Sequence, residues 1–101
     1  MIANDQVFKL LGLANRARKL TLGMTATLQS IRRGKLKLLI VATDCSENAR
    51  SKIQFAAQQS QIIILNFGTK DELGRYLGRN EVGIIGVEDS GFANALQKIL
   101  N

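Results

Sequence analysis

A chain of 101 residues, 46% apolar and 22% charged, has the size and balance of a single soluble globular domain spanning 1–101. One cysteine and no histidine exclude an intrachain disulfide, a structural zinc site and the usual neutral-pH general base. The net charge of +6 is one-sided. Residues 1–52 carry ten Lys/Arg against three Asp/Glu, and residues 53–101 carry four against five.

Val7, Leu10, Leu11 and Ala14 follow helical spacing and predict a first helix, with Asn4 or Asp5 as its N-cap. The N-terminal "MIANDQVFKLL" lacks the basic-then-apolar order of a secretory signal, so a cytoplasmic location is expected. "KLTLG" (19–23) reads as a short strand entering Gly23. Met24, Thr27, Leu28 and Ile31 share one face of a second helix, which Gly34 ends. "LKLLIVAT" (36–43) and "QIIILNF" (61–67) are apolar runs too short for most helices, hence buried strands. Between them, "DCSEN" offers Asp44 or Ser46 as the cap of a helix with Ala49, Ile53, Ala56 and Ala57 on one side. "TKDE" (69–72) has the form of a capping box, Thr69 with Glu72. "VGIIGV" (82–87) is the last strand, and "DSGFANALQKIL" a final helix with Phe92, Leu96, Ile99 and Leu100 inward. Helices alternate with strands, and the three central strands are apolar on both faces, which predicts one sheet sandwiched between helices.

Catalytic chemistry is scarce. Without an imidazole to activate it, Cys45 reads as a small residue tucked under the following helix rather than a nucleophile. Asp44 with Glu47, and Glu88 with Asp89, stand where capping and dipole complementation explain them. "GRYLGRN" lacks the Lys-Ser/Thr ending of a phosphate loop. No enzyme, cofactor or metal is expected.

"GMTATLQSIRRGKLK" (23–37) carries the strongest signal. With Arg16, Arg18 and Lys19 before it, residues 16–37 hold seven cations and no acid, a field that favours a polyanion, nucleic acid first. A membrane surface is the weaker option, since no helix pairs those charges with a large aromatic-rich face. At the other end, Gly23 opens a helix whose first amides attract phosphate or base acceptors. Thr25 adds a hydroxyl, and Gln29 follows one turn later on the same face. With strand 19–23 beside that helix start, Arg18 and Lys19 are expected near Gly23.

"LGLANRARKLTLG…T…IRRGKLKLLIVATDCSEN", then "ELGRYLGR", then a strand and "EDSGFANAL" together resemble the kink-turn-binding ribosomal protein superfamily, named for the archaeal protein L-seven-Ae. The similarity is greatest to its bacterial, YlxQ-like branch and covers about residues 5–100. The resemblance implies a three-layer α-β-α sandwich around a mixed four-stranded sheet, binding bent RNA as a ribonucleoprotein component. It places the RNA-reading helix start at Gly23, Met24, Thr25 and Ala26, and a loop that packs on a flipped-out nucleotide at Arg79, Asn80, Glu81 and Val82. It sets Lys35 and Lys37 against phosphates, with Arg18, Lys19, Arg32 and Arg33 completing the basic set. Archaeal members carry Asn-Glu and then Lys where this chain has Thr25, Ala26 and Gln29. The expected function is therefore a small non-enzymatic RNA-binding protein, monomeric, for structured or ribosomal RNA. The rival expectation is a protein-interaction adaptor on the ribosome or transcription machinery.

Overall fold

The computed structural model describes residues 2–100, with side chains from Asn4 onward. Helices α1 (Ile2–Arg16), α2 (Met24–Arg32), α3 (Glu47–Gln59), α4 (Lys70–Tyr76) and α5 (Ser90–Leu100) alternate with strands β1 (Leu20–Leu22), β2 (Leu38–Val41), β3 (Ile64–Asn66) and β4 (Ile84–Val87). The sheet order is β1-β4-β2-β3. β4 is antiparallel to both neighbours, Leu20 and Leu38 each facing Val87, and β3 joins β2 in parallel, Leu39 opposite Ile64. The sheet is therefore mixed, as expected.

Two-residue alternation along the central strands builds the layers. Leu38 and Ile40 of β2, with Ile85 and Val87 of β4, meet Val7 and Leu11 of α1, Leu73 of α4 and its C-cap Leu77, and Leu96 of α5. On the other face, Leu39, Val41 and Ile84 meet Ile53 and Ala57 of α3 and the half-buried Leu28 and Ile31 of α2. Helices thus cover both faces of the sheet, giving the three-layer α-β-α sandwich.

Gly86 sets how closely α2 rides on the sheet. A Cβ there would stand 2.3 Å from Thr21 Oγ1 and 2.4 Å from Leu36 Cδ1. Above it, the Thr21 and fully buried Thr27 hydroxyls share a 2.9 Å hydrogen bond that ties α2 to β1. Only a residue without a side chain leaves room for that bond at this depth.

Several local expectations are corrected. Helix α1 begins at Ile2, so Asn4 and Asp5 lie in its first turn rather than capping it. The strands are shorter than the apolar runs, because Gln61 and Ile62 complete the α3 exit turn through bonds to Gln58 and Ala57. β3 is also an edge strand of half-exposed residues, so only β2 and β4 are buried on both faces. Ser46 caps α3, while Asp44 accepts the first α4 amide, Lys70 N–H, at 2.8 Å. The Thr69–Glu72 capping box is present. Asp89 accepts from Phe92 N–H at 2.8 Å at the head of α5, but its neighbour Glu88 does not cap. No helix among the described residues is long and apolar enough to cross a membrane.

Candidate nucleic-acid interface

Because β1 and β2 both run against β4, their starts lie at one end of the sheet and their exits at the other. α2 leaves the exit of β1 and returns along the sheet, so its two termini serve opposite ends. Nine residues make it about 13 Å long.

At the exit end, Gly23 takes φ 92° and ψ 173°, a backbone region open essentially to glycine alone. Its N–H donates to Ile84 C=O at 2.9 Å, which fastens the head of α2 to the start of β4. Gly23 supplies no side-chain cap, so the amides of the first turn keep their donor capacity. Thr25 is exposed and Ala26 half-exposed, while Met24 is partly buried against the α2–α3 core. Gln29 is exposed one turn on, beside Thr25.

The stretch before β4 reaches this same end. Arg79, Asn80 and Glu81 are exposed, whereas Val82 is 4% exposed and packs its side chain into the core. Backbone bonds fix the loop at both flanks, Arg79 N–H to Gly74 C=O at 2.8 Å and Val82 N–H to Lys70 C=O at 3.1 Å. It leans on Gly74 so closely that a Cβ there would lie 2.6 Å from Asn80 C=O. The α2 head and the 79–82 loop, far apart in sequence, are therefore brought together through Gly23 and Ile84.

The cations gather at the opposite end. Arg18, Lys19, Gly34, Lys35, Lys37 and Glu88 line a shallow depression of about 310 Å³. Arg18, held at φ 61°, turns the chain from α1 into β1. At the foot of α2, Gly34 N–H donates to Ile31 C=O and Lys35 N–H to Ser30 C=O, both at 3.0 Å, a glycine-terminated helix end that projects Lys35 beside Lys37. Arg32 and Arg33, in the last turn and the C-cap, are exposed. Among the described residues none of these six cations has a carboxylate within 4.0 Å; the ion pair found is Arg75 with Asp71. Their charge is left for an external anion.

Arg18 and Lys19 are thus not neighbours of Gly23, contrary to the expectation from strand 19–23 lying beside the helix start. They precede β1, Gly23 follows it, and the glycine and basic ends are separated by the length of α2. Two residues at the basic end, Ser30 and Glu88, were not among the expected site residues. Glu88 lies in the depression, and Ser30 beneath it donates its hydroxyl to the Glu88 carboxylate at 2.6 Å. Sequence patterning held no signal for either, since they are 58 residues apart and meet only through the strand order. Among the described residues no three His, Cys, Asp or Glu side chains gather as a metal site.

Comparison with known proteins agrees with this fold. The sequence profile of the "Ribosomal protein L7Ae/L30e/S12e/Gadd45 family" matches residues 5–97. The chain is 34% identical to the "RNA-binding protein YlxQ" of Bacillus subtilis, over 93% of this chain and 94% of that one. It is 34% identical to the "Large ribosomal subunit protein eL30" of Yarrowia lipolytica, covering 93% and 88%. A solved structure of a protein of unknown function from Bacillus halodurans superposes with a TM-score of 0.88 at 32% identity, over 93% of this chain and 95% of that one. The Giardia lamblia 15.5kD RNA binding protein shares the fold, with a TM-score of 0.79 at 17% identity over 99% and 86%. The chain therefore belongs to the ribosomal protein L7Ae/L30e/S12e/Gadd45 family.

Proposed function

We propose that this chain is a small non-enzymatic RNA-binding protein, acting in the cytoplasm as one monomeric domain on structured RNA such as ribosomal RNA. The observation that carries the reading is the basic end: six exposed cations, none matched by an acid, gathered where α1, α2 and β4 end and β1 and β2 begin. Relatives described as RNA-binding and as ribosomal support it. Arg18, Lys19, Arg32, Arg33, Lys35 and Lys37 hold phosphates, while Gly23, Met24, Thr25 and Ala26, with Gln29 and the loop of Arg79, Asn80, Glu81 and Val82, meet a bent or unpaired segment one helix length away. Attraction of this kind is electrostatic and falls steeply with salt.

Recognition at the α2 head rests on neutral groups. Thr25 and Gln29 offer hydrogen bonds, and Ala26 offers none. A good bidentate contact to a base is worth about 1–3 kcal/mol, so holding outweighs discriminating at this end. Filter binding of a structured RNA over a salt series tests the function. Retention that weakens with salt is expected, and absence of retention even at low salt would refute it.

A second reading, a protein-interaction adaptor, draws on Phe55 and Ile63, which are 65% and 49% exposed on α3 and before β3. A ribosomal pull-down that survives nuclease would favour it, whereas one that nuclease abolishes favours RNA.

A further inference from the structure

An acid stands inside the phosphate-holding depression, and its placement is specific. Glu88 follows β4, between the starts of β1 and β2. Its N–H donates to Lys19 C=O at 2.8 Å, and Lys37 N–H donates to Val87 C=O at 2.7 Å. Neighbouring strands run about 4.8 Å apart, so lysine stems flank Glu88 on both sides. Yet among the described residues neither ammonium closes to within 4.0 Å of its carboxylate. The carboxylate instead accepts from Ser30 Oγ at 2.6 Å. Ser30 is 3% exposed and is itself fixed, since its C=O accepts from Lys35 N–H at 3.0 Å. A carboxylate offers about four acceptor positions, and Ser30 takes one. The others are left for the hollow that Glu88 lines.

A site for phosphate alone gains nothing from an anchored acid, which repels the ligand. A fixed carboxylate among unmatched cations suits a ligand with negative charge at one end and N–H donors at the other. Among the RNA bases, guanine sets two N–H donors side by side on its Watson–Crick edge, N1–H and N2–H, where a carboxylate accepts both. Cytosine and adenine offer one amine beside an acceptor, and the uracil N3–H lies between two carbonyls that a carboxylate repels. Unpaired bases in RNA are read on this edge. The geometry points to a subsite for an unpaired guanine nucleotide, with Glu88 accepting from the base edge and Arg18, Lys19, Lys35 and Lys37 holding its phosphate. This deepens the RNA-binding reading and rests on it.

Two probes test it on the 101-residue chain. In the first, mononucleotides and inorganic phosphate are titrated and amide chemical shifts followed. GMP moves the Lys19, Lys37 and Glu88 amides at a concentration about tenfold below AMP, the discrimination of one good bidentate contact, and AMP behaves like phosphate. Glu88→Gln keeps an oxygen for Ser30 but loses the second N–H acceptor and the negative charge, so GMP falls back to AMP while AMP binds more tightly. In the second probe, a short oligouridine with one central guanine is compared with plain oligouridine, and the guanine-containing strand binds better only with Glu88 present. Equal responses to GMP and AMP in the natural chain, or a guanine preference that survives Glu88→Gln, would overturn the subsite. If both oligonucleotides bind equally well, RNA binding stands and the subsite falls. If neither binds while GMP keeps its preference, the RNA reading fails and the subsite stands for free guanine nucleotides.

Discussion

Replacing Gly86 by alanine places a methyl group where there is no space. The new Cβ would lie 2.3 Å from Thr21 Oγ1, 2.4 Å from Leu36 Cδ1 and 3.3 Å from Thr27 Cγ2. Both closest atoms must retreat by roughly 1 Å to reach ordinary contact distance. Leu36 is only 6% exposed and has little free volume to retreat into. Overpacking of this kind costs about 1–3 kcal/mol, and breaking the Thr21–Thr27 bond over a fully buried Thr27 adds about 1–3 kcal/mol. Against this, Gly→Ala returns about 0.4–1 kcal/mol by restricting the unfolded chain, and the buried methyl about 0.8 kcal/mol. The net destabilisation is about 2 kcal/mol, a fall in Tm of roughly 8–16 °C for a domain of this length. Urea and thermal unfolding followed by circular dichroism measure it. In a Thr21→Ala background the same change costs less, with a coupling of at least about 0.5 kcal/mol expected for residues in contact. A Gly86→Ala loss within about 0.5 kcal/mol, the range of an inconsequential surface change, or the absence of that coupling, would show that Gly86 does not set the depth of α2.

Gly74→Ala drives a Cβ into the backbone of Arg79 and Asn80, 2.6 Å from the nearest atom. It displaces the 79–82 loop at a cost of about 1–3 kcal/mol, visible as amide-shift changes concentrated at residues 79–83. Thr69→Ala removes the α4 capping box and costs about 1 kcal/mol by denaturant unfolding. Ala26→Glu with Gln29→Lys gives the α2 head the charged pair that it lacks. Both positions reach solvent, so the fold tolerates the change, and preference for a kink-turn RNA over a straight duplex rises about tenfold or more in competition binding.

Reading the architecture from sequence worked where local periodicity and burial coincide. "LKLLIVAT" and "VGIIGV" became the two strands buried on both faces, and "TKDE" capped a helix as written. It failed where a tertiary partner decided the outcome. "QIIILNF" is as apolar as β2, yet its first residues close a helix turn and the rest form a sheet edge, which depends on where the strand pairs rather than on its composition. Of the two candidates for the α3 cap, Ser46 takes the role, while Asp44 serves α4, 26 residues away. The basic residues were legible as a cluster, because charge shows directly in sequence. Their arrangement was not. Placing Lys19 and Lys37 on either side of Glu88, and Gly23 at the far end of the sheet, requires knowing that β4 inserts between β1 and β2. That order is non-local, and no residue within 16–37 encodes it.

The salt dependence of RNA affinity in a charge variant tests the central claim most directly. Arg33→Ala with Lys35→Ala removes two exposed cations that form no ion pair among the described residues, at the foot of α2, without touching a core residue. Filter binding of one structured RNA, with log affinity plotted against log salt, gives the number of phosphates engaged. The slope of the double variant flattens by about two units, one per lost phosphate contact, while Lys98→Ala on α5 leaves it unchanged. Parallel slopes for the natural chain and the double variant would contradict the claim that this end of α2 holds the RNA.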